Sequence, residues 1–200
     1  MRLTTKPERW KTVLPEKPWI IGIDPGTFES GYVICDENLK PLASNKIANE
    51  QLSHEAFIKT MELWDEHYGA DYVPADSDTL TFFDGIHVAI EMIASYGQNV
   101  GREIFDTCVW IGRFKEQFSA FRNQQIIYRR EEKLTICENP KANDTMMRAA
   151  LVDRFAPYVS NHGKGSKKEP GWFYGFRYDI WQAYAVAVTY HDKYLIGGKE

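Results

Sequence analysis

Trp19–Asp36 reads W-I-I-G-I-D-P-G-T-F-E-S-G-Y-V-I-C-D, and the organisation of the chain follows from it. Ile20, Ile21 and Ile23 form a short β-branched run, the pattern of a buried central strand. The run stops at Asp24, and Pro25-Gly26 breaks the strand and turns the chain. Gly31–Cys35 then reads as a second strand, antiparallel to the first. A carboxylate therefore sits at the end of a buried strand, beside a tight hairpin. Acids are depleted in strands and costly to bury unpaired. Asp-Pro-Gly is also ordinary turn chemistry. A functional role for Asp24 depends on other carboxylates that can meet it.

Downstream, Pro41–Ile47 supplies a third strand after a turn at Glu37–Lys40. Glu50–Tyr68 predicts a helix, with Leu52, Phe57, Met61 and Trp64 near helical spacing and Gly69 as its stop. Asp71–Gly85 is acidic and loop-like. Ile86–Met92, I-H-V-A-I-E-M, is a second apolar run with an acid, Glu91, near its end. Ser95–Gly101 reads as a glycine-bearing loop. Arg102–Phe121 predicts a long helix in which Thr107, Ile111, Phe114, Phe118 and Phe121 share a core-packing face. Gln125–Arg129 predicts a strand and Leu134–Glu138 a further one. Asp144 is placed to cap a helix through about Phe155. Pro157–Tyr178 is a loop with four glycines and the run K-G-S-K-K. It ends at Asp179, which starts a last helix striped by Ile180, Ala183, Tyr184, Ala187 and Val188. Strands alternating with helices argue for an α/β sheet with helices on its faces.

Two hundred residues, 44% hydrophobic and 14% aromatic, suffice for one packed domain. The expected division is a basic N-terminal arm over 1–18, carrying Lys6, Arg9, Lys11 and Lys17 with three prolines, and a domain over 19–196. The arm can lie on DNA or on a partner subunit, or be a solvated tail. It lacks the apolar core of a signal peptide, and no apolar run of about 18 residues exists, so a cytoplasmic location without a membrane span is expected. Cys35, Cys108 and Cys137 are odd in number and widely spaced, which argues against a disulfide framework or a zinc site. The net charge of −4 weighs against a non-specific nucleic-acid binder, though basic residues can still be patched on one surface.

Asp24 ends the first strand, Glu91 lies near the end of the fourth, and Asp179 begins the last helix. If strands one and four are parallel neighbours, their carboxyl ends lie side by side, where open α/β sheets bind ligands. Three acids gathered there repel one another without a cation. Oxygen-only ligands with open positions suit Mg²⁺ or Mn²⁺. Two such ions about 4 Å apart can activate a water and stabilise the leaving oxygen in phosphodiester cleavage. Taken singly, Asp179 is an N-cap residue and Glu91 a partner for a core Arg or His.

These residues carry a resemblance. I-G-I-D-P-G-T-x-x-S-G-Y at Ile21–Tyr32 resembles the opening motif of RuvC-type Holliday junction resolvases. V-A-I-E at Val88–Glu91 resembles their second acidic strand, and D-I-W-Q-A-Y-A-V-A-V at Asp179–Val188 their last helix. The likeness covers roughly Trp19–His191, and K-A-N-D-T-M-M-R-A-A-L-V-D-R-F with the G-x-K-K-x-P-G loop looks like divergent phage or prophage members. The resemblance implies an RNase H-like, RuvC-like mixed five-stranded sheet flanked by helices. It further implies a homodimer, Mg²⁺ with Mn²⁺ able to substitute, and paired nicks in a four-way DNA junction, in a bacterial or phage-infected cell. By motif, Asp24, Glu91 and Asp179 are catalytic metal ligands. Where the typical bacterial resolvase has a fourth acid, this chain has Gln182. Its amide oxygen shares a helix face with Asp179 but brings no negative charge.

Family members also carry basic residues before the penultimate helix. Lys141, as a catalytic residue, and Arg148, as a DNA-binding one, are the candidates here for holding the scissile phosphate, or else part of a solvated helix face. Lys164, Lys167 and Lys168 lie in what reads as a mobile basic loop, suited to clamping DNA phosphates or simply to solubility. Tyr96, after Glu91, can stack on an unpaired base. Two rivals stand beside the nuclease. D-x-G-T after a strand also opens the phosphate hairpin of actin-like kinases and ATPases, but those need a second such hairpin, and the C-terminal half shows none. The other is a non-catalytic junction-binding protein, against which three intact acids weigh.

Overall fold

The computed structural model describes residues 18–68, 82–95, 97 and 101–197. The expected basic arm, but for Pro18, and Tyr96 lie outside them. Five strands form one mixed sheet: β1 (Trp19–Asp24), β2 (Glu29–Cys35), β3 (Pro41–Ala48), β4 (Ile86–Met92) and β5 (Asn123–Tyr128). Their order is β3-β2-β1-β4-β5. β1 is antiparallel to β2 and parallel to β4, and β4 is parallel to β5. Ile23 pairs with Ile90, so Asp24 and Glu91 follow as the next residues on adjacent, parallel strands.

The two-residue period of the strands sorts side chains to two faces. Trp19, Ile21, Ile23, Tyr32, Ile34, Val88 and Ile90 enter one core with helices α1 (Asn49–Tyr68) and α3 (Arg102–Gln117). A single-turn helix, α2 (Phe82–Gly85), leads into β4. Ile20, Val33, Cys35, Ala89 and Ile127 enter the other core. There they meet α4 (Arg129–Cys137), α5 (Asp144–Phe155) and α6 (Asp179–Tyr190), which continues as a wider turn over His191–Ile196. Asp24 and Glu91 are in phase with this second set, so both acids point to the α6 face.

α6 approaches that face at backbone contact. A Cβ on Gly22 would lie 2.2 Å from the Ala183 carbonyl oxygen and 3.0 Å from Ala187 Cβ. A Cβ on Gly31 would lie 2.8 Å from the Asp179 backbone. Gly31 is the register partner of Asp24, so two missing side chains let the start of α6 settle beside the end of β1.

Four local expectations need correction. Leu134–Glu138 is not a strand. Leu134–Cys137 completes α4, whose backbone hydrogen bonds need no sheet partner, and Glu138 caps it in the left-handed conformation. Asn143, not Asp144, caps α5, accepting from the Met146 amide at 2.9 Å. Asp144 is thereby left free to pair elsewhere. α3 ends at Gln117, and Phe118 and Phe121 reach the core from the turn beyond it. The Pro157–Tyr178 segment is folded on itself rather than open. The Gly171 amide donates to the Lys164 carbonyl at 3.0 Å and the Phe173 amide to the Gly163 carbonyl at 3.0 Å. Gly165 and Pro170 form an isolated β-bridge. Phe173 anchors the segment, fully buried against Trp181 and Tyr184.

Candidate active site

The hairpin that carries Asp24 is fixed by a buried polar triad. The Gly26 amide donates to Ser30 Oγ at 3.0 Å, Ser30 Oγ donates to Asn49 Oδ1 at 2.6 Å, and Asn49 Nδ2 donates to the Gly26 carbonyl at 2.9 Å. Ser30 and Asn49 are fully buried, so every polar atom they bring inside is answered. The Pro25-Gly26 turn therefore hangs from the first residue of α1, and Asp24 is held at its base. Across the edge, Tyr178 takes φ of 38°, a region a bulky residue rarely visits, and this kink starts α6 at Asp179 over Gly31.

Three acids from separate elements thus meet at one sheet edge. Asp24 and Glu91 are hydrogen-bonded to each other. Burial, then the Glu91 charge, pushes the Asp24 carboxyl well above the usual carboxylate range, with Asp179 and Glu132 adding to the repulsion. Burial also raises Glu91, against the pull of Arg129 and of the bond from Asp24. Both carboxyls are therefore held above the ordinary carboxylate range by the same burial. Asp179 faces Lys46 of β3, whose Nζ lies 2.8 Å from Oδ2 and 3.7 Å from Glu29. That bond, first among the influences on it, raises the Lys46 pKa and keeps the amine charged.

Behind Glu91 stands a second layer of charge. Arg129, the first residue of α4, lies 4.0 Å from Glu91, 2.6 Å from Glu132 and 2.5 Å from Asp144. Glu132 is fully buried, and its Oε1 has no partner among the described residues. Burial, then the Glu91 charge, raises its carboxyl well above the usual range. One guanidinium thus serves three carboxylates, which its planar fork of donors permits.

Of the other residues singled out by sequence, Gln182 is half-buried one turn after Asp179, without a hydrogen bond among the described residues. Lys141 is exposed in the turn between α4 and α5, where its backbone amide donates to Asn139 Oδ1 at 2.9 Å. It has no ion pair with the acids. Arg148 lies on α5 with its guanidinium over the Trp181 ring, 5.2 Å from the centroid. It touches α6 but not the acids. Lys164, Lys167 and Lys168 lie in the folded 158–178 segment, Lys164 half-buried at its base and Lys167 and Lys168 exposed at its tip. Lys46, Arg129 and Glu132 went unsingled. Lys46 had a signal, a cation on a strand that must pair with the hairpin. Arg129 and Glu132 were hidden by the misplaced strand, since only a helix starting at Arg129 puts them one turn apart.

The donor set is oxygen-only and anionic, held together against its own repulsion, which is the chemistry of a site for a hard divalent cation. As they stand, no three His, Cys, Asp or Glu side chains among the described residues are grouped to hold an ion, and Asp179 is paired with Lys46.

A mixed five-stranded sheet with this order, flanked by helices and carrying acids on β1, β4 and the last helix, has the RNase H-like architecture. Within that class the fold is RuvC-like. Two solved structures, one described as a Thermus thermophilus RuvC structure and one as T. thermophilus RuvC in complex with a Holliday junction substrate, superpose with a TM-score of 0.52 and 14% identity, over 90% of this chain and 96% of theirs. No family model matches the sequence, and no curated protein does.

Proposed function

We propose that the chain is a metal-dependent endonuclease that hydrolyses phosphodiester bonds in four-way or related branched DNA, acting as a homodimer. The observation that carries this is the convergence of Asp24, Glu91 and Asp179 from β1, β4 and α6 on one sheet edge, in a fold shared with a protein solved on a Holliday junction. Asp24, Glu91 and Asp179 would hold Mg²⁺, or Mn²⁺ in its place, with the Gln182 amide oxygen on the same helix face. The chemistry such an ion supplies when bound is Lewis acidity toward water and the phosphodiester oxygens. Asp24 would have to be ionised to serve as a ligand. Asp179 now pairs with Lys46, whose amine would be available to a phosphate oxygen if Asp179 turned to the ion. Arg129 holds the Glu91 carboxylate in place throughout. Phe28, on the hairpin turn, is 81% exposed and Tyr178, before Asp179, is 78% exposed. Two bare rings on the turns that bound the acids suit stacking on bases unpaired at a branch point.

The test is cleavage of a labelled synthetic four-way junction in Mg²⁺, beside a flap, a fork and plain duplex. Symmetric nicks in the junction, lost in Asp24→Asn with binding retained, are the expected result. Undiminished nicking by that variant removes the assignment.

A further inference from the structure

A groove of about 510 Å³ lies between β3 and the 161–177 segment. Ser44, Asn161, Lys164, Tyr174 and Arg177 line it, together with Ile180, the residue after Asp179. Ser44 and Lys46 stand on the same face of β3, two residues apart, so the strand that walls the groove also carries the amine that contacts Asp179. Lys164 and Arg177 have no carboxylate partner among the described residues. A channel with two unneutralised cations thus shares β3 and the start of α6 with the Lys46–Asp179 pair, on a chain of net charge −4. Lys164 is presented from a fixed backbone. Gly163 and Gly165 adopt φ of 71° and 66°, and a Cβ on Gly171 would lie 2.2 Å from the Gly163 carbonyl oxygen. Tyr174, 45% exposed, offers a ring to whatever occupies the groove.

We propose that this groove is the bed of one DNA strand on its way to the acidic edge. Lys164 and Arg177 neutralise its phosphates, and Tyr174 bears on a sugar or base. The proposal rests on the endonuclease reading and adds to it the path of the strand. A polyanion with regularly spaced charges, and polar or aromatic surface between them, is the ligand that matches alternating cations, amide and hydroxyl groups and a ring. Lys167 and Lys168, at the outer tip of the segment, lie outside the groove.

The experiment is fluorescence anisotropy of a labelled four-way junction in EDTA, across a salt series, with the full-length wild type, Lys164→Gln/Arg177→Gln and Lys167→Gln/Lys168→Gln. Thermal melts check that each variant is folded. Losing two phosphate contacts should flatten the slope of log affinity against log salt by about 1.8 and weaken binding by about tenfold at moderate salt. The tip variant should lose clearly less affinity and slope than the groove variant. Unchanged affinity and slope in the groove variant overturn the proposal while leaving the nuclease reading intact. Equal losses in both variants overturn it too, because they mean a diffuse basic surface. A wild type that binds no junction removes both the groove and the reading beneath it, and the cleavage assay records that second failure independently.

Discussion

Asp179 and Glu91 are acids at the same sheet edge, yet they meet their cations in different media. Asp179 pairs with Lys46 where both side chains are 32% exposed, with Glu29 as the amine's second, longer contact, at the rim formed by the edge strand and the start of α6. Glu91 is 15% exposed and shares Arg129 with Glu132 and Asp144, while also adjoining the buried Asp24 carboxyl. The rim pair is solvated and exchangeable. The inner group is acid-rich and, apart from the exposed Asp144, mostly buried, and one guanidinium holds its balance. On the proposed function the two media divide the work: the exposed rim pair is the one that opens at little cost, and the inner group is the one held by its own ion pairs.

The contrast is broken most severely by Arg129→Ala. It leaves Glu91 and Glu132 buried without a counter-charge, and a loss of about 3–5 kcal/mol is expected in urea unfolding at neutral pH. The deficit should shrink as pH falls and the two carboxyls take up protons. Gly31→Ala attacks the join between the halves. Its new methyl meets the Asp179 backbone at 2.8 Å, so about 1–3 kcal/mol should be lost together with junction cleavage.

Asp24→Asn sharpens the comparison from the opposite side. The folded Asp24 carboxyl lies above its unfolded value, so the wild type loses stability as pH rises through that interval. Asparagine keeps a donor for Glu91 and removes the repelled charge. The variant should therefore melt higher than wild type, by about 1–2 kcal/mol at neutral pH, with the advantage vanishing as pH drops below the ordinary carboxylate range. A variant that melts lower would mean that the inner acids are not in excess. Smallest is Lys46→Met, for which a change within about 1 kcal/mol is expected, fading further in high salt. A large loss there would erase the distinction between rim and interior.

The inner acids were legible in the sequence and their surroundings were not, and the reason is local. Asp24 and Glu91 each interrupt a β-branched run, so the strand pattern itself marks them as anomalies. Asp179 heads an Ala-rich helix behind a glycine-rich segment, which is a boundary that capping chemistry advertises. Arg129 and Glu132 sit in R-R-E-E-K, a run that reads as surface because every residue in it is charged. Its burial follows only from the packing of α4 beneath the carboxyl ends of β4 and β5. Lys46 was legible as a strand residue, but its partner is 133 positions away in sequence, and only the antiparallel register with Gly31 brings the two together. The loop before α6 was read as mobile because glycines are counted as freedom. Gly163 and Gly171 instead permit two backbone stretches to touch.

The close seat of α6 on Gly22 and Gly31 has a consequence for how the site ages under mutation. The offset between Asp24 and Asp179 is spanned by main chain touching main chain, with no intervening layer of side chains whose sizes could drift. Substitutions can accumulate through both hydrophobic cores and alter their shapes without changing that interval. The gauge of the site is kept by two hydrogen atoms, and sequence divergence elsewhere leaves it alone.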